Sequence, residues 1–209
     1  MGEPILIYGK SGCGKSHSLK NFGDGEIFLI NTMGKRLPFP RNFKYEIKTR
    51  NIAALRQGLL KMPCKTAVID DAGYLMTSTF MAGHSAPKTG SSTFELFNQI
   101  ADEFWSLIID IREKLPDDIF VYVIMHEQTS DYGETRARTI GKLLDEKVCV
   151  EGLFTICLHA MTDGIRYFFK TQGGANDIAK SPDGMFTPEI ENDLKAVDTR
   201  IREFYEIGG

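Results

Sequence analysis

Gly9-Lys10-Ser11-Gly12-Cys13-Gly14-Lys15-Ser16 is the stretch around which this chain has to fold. It satisfies the spacing G-x-x-x-x-G-K-[ST] at every fixed position. Just before it stands an apolar run, Pro4-Ile5-Leu6-Ile7-Tyr8, which reads as a strand buried on both faces. Just after it, residues 15–22 fit a helix that Gly23-Asp24-Gly25 ends. That order of strand, glycine-rich turn and helix makes a phosphate cradle. The glycines let the backbone curl so that successive N–H groups face phosphate oxygens. The start of the helix adds partial positive charge. Lys15 is placed to reach the β- and γ-phosphates, and the Ser16 hydroxyl to ligate magnesium. Gly9, Lys10, Ser11, Gly12, Cys13, Gly14, Lys15, Ser16 and His17 are therefore the expected nucleotide contacts.

Further along, Thr66-Ala67-Val68-Ile69-Asp70-Asp71 is an apolar strand that ends in two acids. A carboxylate at such a strand end holds magnesium through water, opposite the Ser16 hydroxyl, and Asp70 is assigned that place. Asp71 then stands beside the site and is expected to orient an attacking water. Residues 119–125 form another apolar strand, and it ends in His126-Glu127-Gln128. A polar residue at that tip is well placed to sense the γ-phosphate, and His126 is assigned that role. Lys15, Asp71 and His126 are thus the expected catalytic groups.

The remaining segments read as follows. Residues 26–31 and 45–47 are strands, and residues 51–62 form a helix that Pro63 ends. Residues 72–92 are less regular, with a loop of small residues at 83–92 in which His84 is solvated. Residues 93–115 form the longest helix, with an aromatic stripe in the core and Trp105 partly exposed. Residues 129–139 read as a polar loop carrying Arg136 and Arg138. Residues 153–158 and 166–170 are strands joined by the turn Thr162-Asp163-Gly164. Residues 171–186 are loop, and a final helix runs over 188–205.

Bulk properties narrow the function. The chain has 209 residues, 42% of them hydrophobic and 25% charged, which suits one α/β domain over residues 1–209. A net charge of -3 gives no global attraction to nucleic acid or anionic lipid. Local patches must serve instead. Residues 35–50 carry Lys35, Arg36, Arg41, Lys44, Lys48 and Arg50 against Glu46, with Phe39, Phe43 and Tyr45 interleaved. Such a segment either holds a single-stranded nucleic acid or is a solvated approach to a strand with its rings in the core. No apolar run reaches the roughly 20 residues a membrane span needs. Met1-Gly2-Glu3-Pro4 lacks a signal-peptide pattern, so a cytoplasmic protein that does not enter membranes is expected. Cys13, Cys64, Cys149 and Cys157 form no C-x-x-C pair and read as unpaired thiols, with Cys149 and Cys157 in the core.

The chain resembles the RecA-like branch of P-loop ATPases. More closely, it resembles small phage-encoded RecA-like ATPases of the single-strand-annealing recombinase group. The residues that carry the resemblance are Gly9 to Ser16, Val68-Ile69-Asp70-Asp71-Ala72-Gly73, Ile124-Met125-His126-Glu127 and Ala179-Lys180-Ser181-Pro182-Asp183-Gly184. It implies a three-layer P-loop NTPase fold with a mostly parallel, RecA-like central sheet and a late antiparallel hairpin. It implies ATP and magnesium as cofactors, single-stranded DNA as a partner, and the host-cell cytoplasm as the location. It also implies a homo-oligomer in which Lys170 or Lys180 acts across the subunit boundary. The departure is at Thr32-Met33, where the RecA pattern has a Glu. Three functions remain open on this reading: an ATPase of DNA recombination or annealing, a slow nucleotide-dependent switch or loader working through protein partners, and a small-molecule or nucleotide kinase.

Overall fold

Apolar runs that end in polar tips build the sheet. A computed structural model of the protein describes residues 1–84 and 90–207; the side chains of residues 90–92, 145 and 146 lie outside that description, as does the 85–89 part of the expected loop. The strands are β1 (Glu3–Gly9), β2 (Ile27–Asn31), β3 (Tyr45–Ile47), β4 (Thr66–Asp70), β5 (Phe120–Thr129), β6 (Thr135–Ala137), β7 (Ile156–Thr162), β8 (Tyr167–Lys170) and β9 (Glu189–Glu191). The helices are α1 (Ile52–Leu60), α2 (Gly73–Gly83), α3 (Gly90–Lys114) and α4 (Leu194–Phe204). The sheet order is β3-β2-β4-β5-β1-β7-β8-β9, with β6 paired on β5. From β3 through β7 the pairing is parallel, and β8 and β9 add antiparallel. This is the expected α/β architecture with a mostly parallel sheet and a late hairpin.

Alternate residues of each strand feed two cores. Leu6 and Tyr8 of β1 pack with α1, α2 and α3 on one face. Ile5 and Ile7 pack with Leu19, Phe22 and α4 on the other. Strands buried on both faces read as continuous apolar runs, and this is why β1, β4 and β5 were legible. Asp198 pins α4 to the sheet, accepting from Thr66 Oγ1 at 3.0 Å, Tyr122 Oη at 3.1 Å and Arg202 Nε at 2.8 Å.

Several expectations need correction. The helix expected at 15–22 is a 3-10 segment, Ser16–Asn21. There the Ser18 hydroxyl donates to the Lys15 carbonyl at 2.6 Å and competes with the helical ladder. The stretch expected to be irregular from residue 72 contains α2, whose Leu75 and Met76 reach the core. His84 is exposed, as expected, but its ring stacks on Phe80. The polar 129–139 loop holds β6, because β5 continues to Thr129 and turns at Ser130–Gly133. The strand expected at 153–158 begins at Ile156 and runs to Thr162. The helix expected from residue 188 is preceded by β9, where Glu189-Ile190-Glu191 alternates with period two. Asp193 then caps α4, accepting from the backbone N–H groups of Lys195 and Ala196. Cys149 is exposed rather than in the core, while Cys157 is buried.

Candidate functional site

The parallel register brings the polar strand tips together. Gly9 ends β1 opposite His126 of β5, and β5 lies between β1 and β4, whose last residue is Asp70. The cradle, His126 and Asp70 therefore share the carboxyl edge of the sheet. Between them is a cleft of about 450 Å³, lined among others by Gly12, Lys15, Ser16, Asp70, Asp71 and His126. A larger groove of about 760 Å³ lies between α1, α2 and α3 and contains none of these groups. The smaller cleft is the candidate site, because the chemistry-bearing side chains converge there.

Local geometry explains the loop. A Cβ at Gly9 would lie 2.4 Å from the Ala160 carbonyl oxygen and 2.7 Å from the Cys13 Sγ, so only glycine fits. Gly14 sits at φ +90, a left-handed conformation that side chains disfavour. Lys15 is buried, and its Nζ donates to the carbonyls of Gly9 at 2.7 Å and Lys10 at 2.6 Å. These carbonyls hold the ammonium at the mouth of the cradle, where a phosphate oxygen can take over as partner. Burial pushes the Cys13 thiol up, against the opposing pull of Lys15, which favours the protonated thiol over a reactive thiolate.

Asp70 and Ser16 meet as expected for a metal site. Ser16 Oγ donates to Asp70 Oδ1 at 2.9 Å. Asp70 is 7% exposed, and burial first, then the charge of Asp71, raises its carboxyl to about 6. A buried carboxylate with a hydroxyl beside it and no ion pair among the described residues fits a divalent ion, which would relieve that burial cost. Ser16 and Asp70 would hold magnesium together with the phosphates, and the ion would supply charge neutralisation at the β- and γ-oxygens.

Asp71 occupies the turn into α2 at φ +60, a left-handed conformation that Asp tolerates better than most residues. Its carboxylate lies 2.7 Å from Lys35 Nζ and 3.4 Å from His126 Nε2. Burial alone would raise this carboxyl, but the hydrogen bonds from His126 and Lys35 outweigh it and hold it at about 2. Asp71 is thus ionised and able to orient a water. The end of β2, which lacks the acid of the RecA pattern, braces this pair instead. Thr32 Oγ1 lies 2.9 Å from the Asp70 carbonyl oxygen and 3.0 Å from that of Asp71.

Sequence reasoning missed the side chains next to this cleft. Tyr167 of β8 lies against Gly14 and lines the phosphate cleft with His17. Asn192 also packs on Gly14, is 7% exposed, and among the described residues has no hydrogen-bond partner for either amide atom. On the other face of the sheet, His159 lies 2.7 Å from Glu127 through Nε2 and 3.0 Å from Asp177 through Nδ1. Asp177 also accepts from Tyr8 Oη and, at 3.1 Å, from Lys170 Nζ. Local patterns carry no sign of either arrangement, since their members are scattered along the chain.

Other expected residues fall elsewhere. Lys170 is committed to Asp177 within its own chain. The backbone of Lys180 bridges Cys157, and neither lysine lines the cleft. Arg136 lies in β6 and Arg138 just after it, and neither lines the cleft. In the 35–50 segment, Phe43 is buried and Phe39 and Tyr45 pack against the cores, so the rings are structural. Arg36, Arg41, Lys44, Lys48 and Arg50 remain exposed near the β3 edge. Among the described residues no helix is long and apolar enough to cross a membrane.

No curated protein matches the chain. A protein-family model described as an AAA domain matches residues 1–182, a span that takes in the cradle, Asp70, Asp71 and His126. That match covers most of the chain, and with it the chain belongs to the AAA-domain family of P-loop nucleotide-binding proteins.

Proposed function

We propose that the protein is a magnesium-dependent ATPase of RecA-like kind, acting in phage DNA recombination or single-strand annealing. The observation that carries the ATPase part is the convergence of Ser16, Asp70, Asp71 and His126 around Lys15 in one cleft. Positioning and charge stabilisation are most of what phosphoryl transfer requires, and these groups supply both. The exposed cations Arg36, which lines that cleft, and Arg41, Lys44, Lys48 and Arg50 near the β3 edge support a role on nucleic acid. With the neighbouring rings in the core, the contact is to phosphate rather than to stacked bases. ATP turnover measured with and without single-stranded DNA tests the reading. Stimulation by DNA is expected, and absence of DNA binding at low salt removes the recombination role.

The Lys35–Asp71 ion pair favours a second reading, the slow switch. While Lys35 holds the carboxylate, Asp71 is less free to turn toward water. Lys35→Met is then expected to raise DNA-independent turnover; an unchanged or lower rate removes this reading. A kinase has less support: it needs arginines in a lid over the phosphates, and Arg136 and Arg138 do not line the cleft.

A further inference from the structure

Among the described residues three lysine or arginine side chains line the phosphate cleft: Lys15, Lys35 and Arg36. The first two are engaged. Lys15 donates to the cradle carbonyls, and Lys35 is paired with Asp71 at 2.7 Å. Arg36 is exposed and has no hydrogen bond, ion pair or ring contact among the described residues. A guanidinium carries five N–H donors in a planar fork that fits two oxygens of one phosphoryl group. Here such a fork stands at a phosphate site with no partner of its own.

The backbone that carries Arg36 is fixed on both sides. Behind it, the chain leaves β2 through a turn in which the Gly34 N–H donates to the Asn31 carbonyl at 3.3 Å, with Gly34 at φ +64. Asn31, 4% exposed, clamps that turn by donating from Nδ2 to the Lys35 carbonyl at 2.8 Å. Ahead of it, Leu37 and Phe39 pack against the core that α4 covers. The Phe39 ring also meets the His17 ring, just past the cradle, edge-on at 6.4 Å. A held backbone with a free side chain lets a charge be placed with little further ordering on ligand entry. The tip of β2, where the RecA pattern has its acid, thus presents a cation to the cleft.

We propose that Arg36 is a catalytic residue that grips the γ-phosphate from within the same chain. This rests on the ATPase reading above and goes beyond it, by assigning the cation that Lys170, Lys180, Arg136 and Arg138 do not bring to the cleft. In hydrolysis the water oxygen bonds to the γ-phosphorus as the bond to the β–γ bridging oxygen breaks. The electron pair of the broken bond stays on ADP; one proton of the water stays on the inorganic phosphate and the other goes to solvent. Charge is spread over the γ-oxygens at the transition state, and a fork on two of them stabilises it more than it stabilises bound ATP. Lys35 is kept off the phosphates by Asp71, so the task falls to Arg36. Arg41, Lys44, Lys48 and Arg50 remain for nucleic acid.

The test uses the whole chain without DNA, so that any contact of Arg36 with nucleic acid drops out. Arg36→Ala is expected to lower single-turnover ATP hydrolysis by roughly 10²–10³-fold, below the 10³–10⁵ of an enclosed arginine finger because Arg36 is exposed. Equilibrium titration with ATP and with ADP gives a second readout. The preference for ATP over ADP should fall about tenfold in the variant, the low end for a lost charge-assisted hydrogen bond, with ADP affinity unchanged. Mixing Arg36→Ala protein with Lys15→Ala protein should restore no turnover, since every site then lacks one of its own cations. Recovery in the mixture would mean that a neighbouring subunit supplies Arg36, and it overturns the assignment within one chain. Wild-type hydrolysis and wild-type ATP preference in Arg36→Ala overturn the proposal outright and leave Arg36 to the nucleic-acid face. An exposed side chain is not expected to hold the fold, and a thermal melt of the variant checks this. A wild type that turns over no ATP, or a Lys15→Ala variant as fast as the wild type, removes the ATPase reading itself and the role of Arg36 with it.

Discussion

Ser16 Oγ and Asp70 Oδ1 stand 2.9 Å apart although they are 54 residues apart in the chain. The hydroxyl comes from the end of the cradle and the carboxylate from the tip of β4, two strands from β1. Asp70→Asn keeps the shape and removes the charge that a divalent ion requires. It is expected to weaken magnesium-supported ATP binding by roughly 10–100-fold, as for groups that hold a metal through its water shell. Titration of ATP with magnesium and with a chelator should show a large difference in the wild type and a small one in the variant. An equal magnesium effect in both would place the metal elsewhere.

Lys15 donates to the backbone carbonyls of Gly9 and Lys10 and to the Cys13 Sγ at 3.8 Å, and forms no ion pair among the described residues. Its charge is thus available to the phosphates. Lys15→Ala is expected to lower ATP turnover by at least about a hundredfold, the scale for losing a preorganised charge at a transition state. Steady-state phosphate release measures this. Retained turnover would mean that the cradle is not where hydrolysis occurs.

Asp71 sits between Lys35 and His126 with its carboxylate ionised. Asp71→Asn is expected to slow hydrolysis by roughly 10²–10⁴-fold, the usual contribution of a positioned base. Nucleotide affinity should change far less. Single-turnover rates alongside equilibrium titration separate the two quantities. Parallel losses in both would make Asp71 a binding or metal group instead.

His159 is held between Glu127 and Asp177, with Tyr8 and Lys170 also on Asp177. Burial would lower its imidazole, but the hydrogen bonds to Asp177 and Glu127 outweigh this and raise it above the ordinary 6.5. A raised imidazole contributes stability that is complete below pH 6.5 and is lost as pH rises through the folded value. Asp177 is pulled well below the ordinary 3.8; burial opposes this, and the bonds from His159 and Tyr8 prevail. Its contribution is present above about pH 4 and is lost as pH falls through the depressed value. The stability difference between wild type and His159→Gln, read from denaturant melts, is therefore expected to be largest near pH 5–6 and to shrink toward alkaline pH. A difference that stays constant across this range would mean that His159 is neutral in the fold.

Legibility followed locality. The cradle could be read because its glycines, Lys15 and Ser16 are contiguous and follow an apolar run. Asp70 and His126 could be read because each ends such a run. The alternation Glu189-Ile190-Glu191 and the cap at Asp193 were present in the sequence, but Pro188 suggested a helix start instead. The turn at Ser130–Gly133 was likewise hidden within a polar stretch. The Tyr8–Asp177–His159–Glu127 network joins residues from distant parts of the chain and has no spacing that could announce it. The pairing of Lys170 with Asp177 and the backbone bridge between Lys180 and Cys157 likewise join distant stretches that no local pattern connects.

The mostly parallel sheet came with the resemblance to P-loop ATPases; composition and local pattern were sufficient to read an α/β chain with a phosphate-binding loop and an apolar strand that ends in two acids. These are short-range properties: the period of apolar residues, the conformational freedom of glycine, and the charge that follows a strand. Three-dimensional packing alone decided which tips meet. It placed β5 between β1 and β4, so that His126 reaches Asp71. It set Lys35 on Asp71 and brought Tyr167 and Asn192 against Gly14. Strand order and register fix those encounters, and they arise from burial of two apolar faces at once rather than from any single stretch of residues.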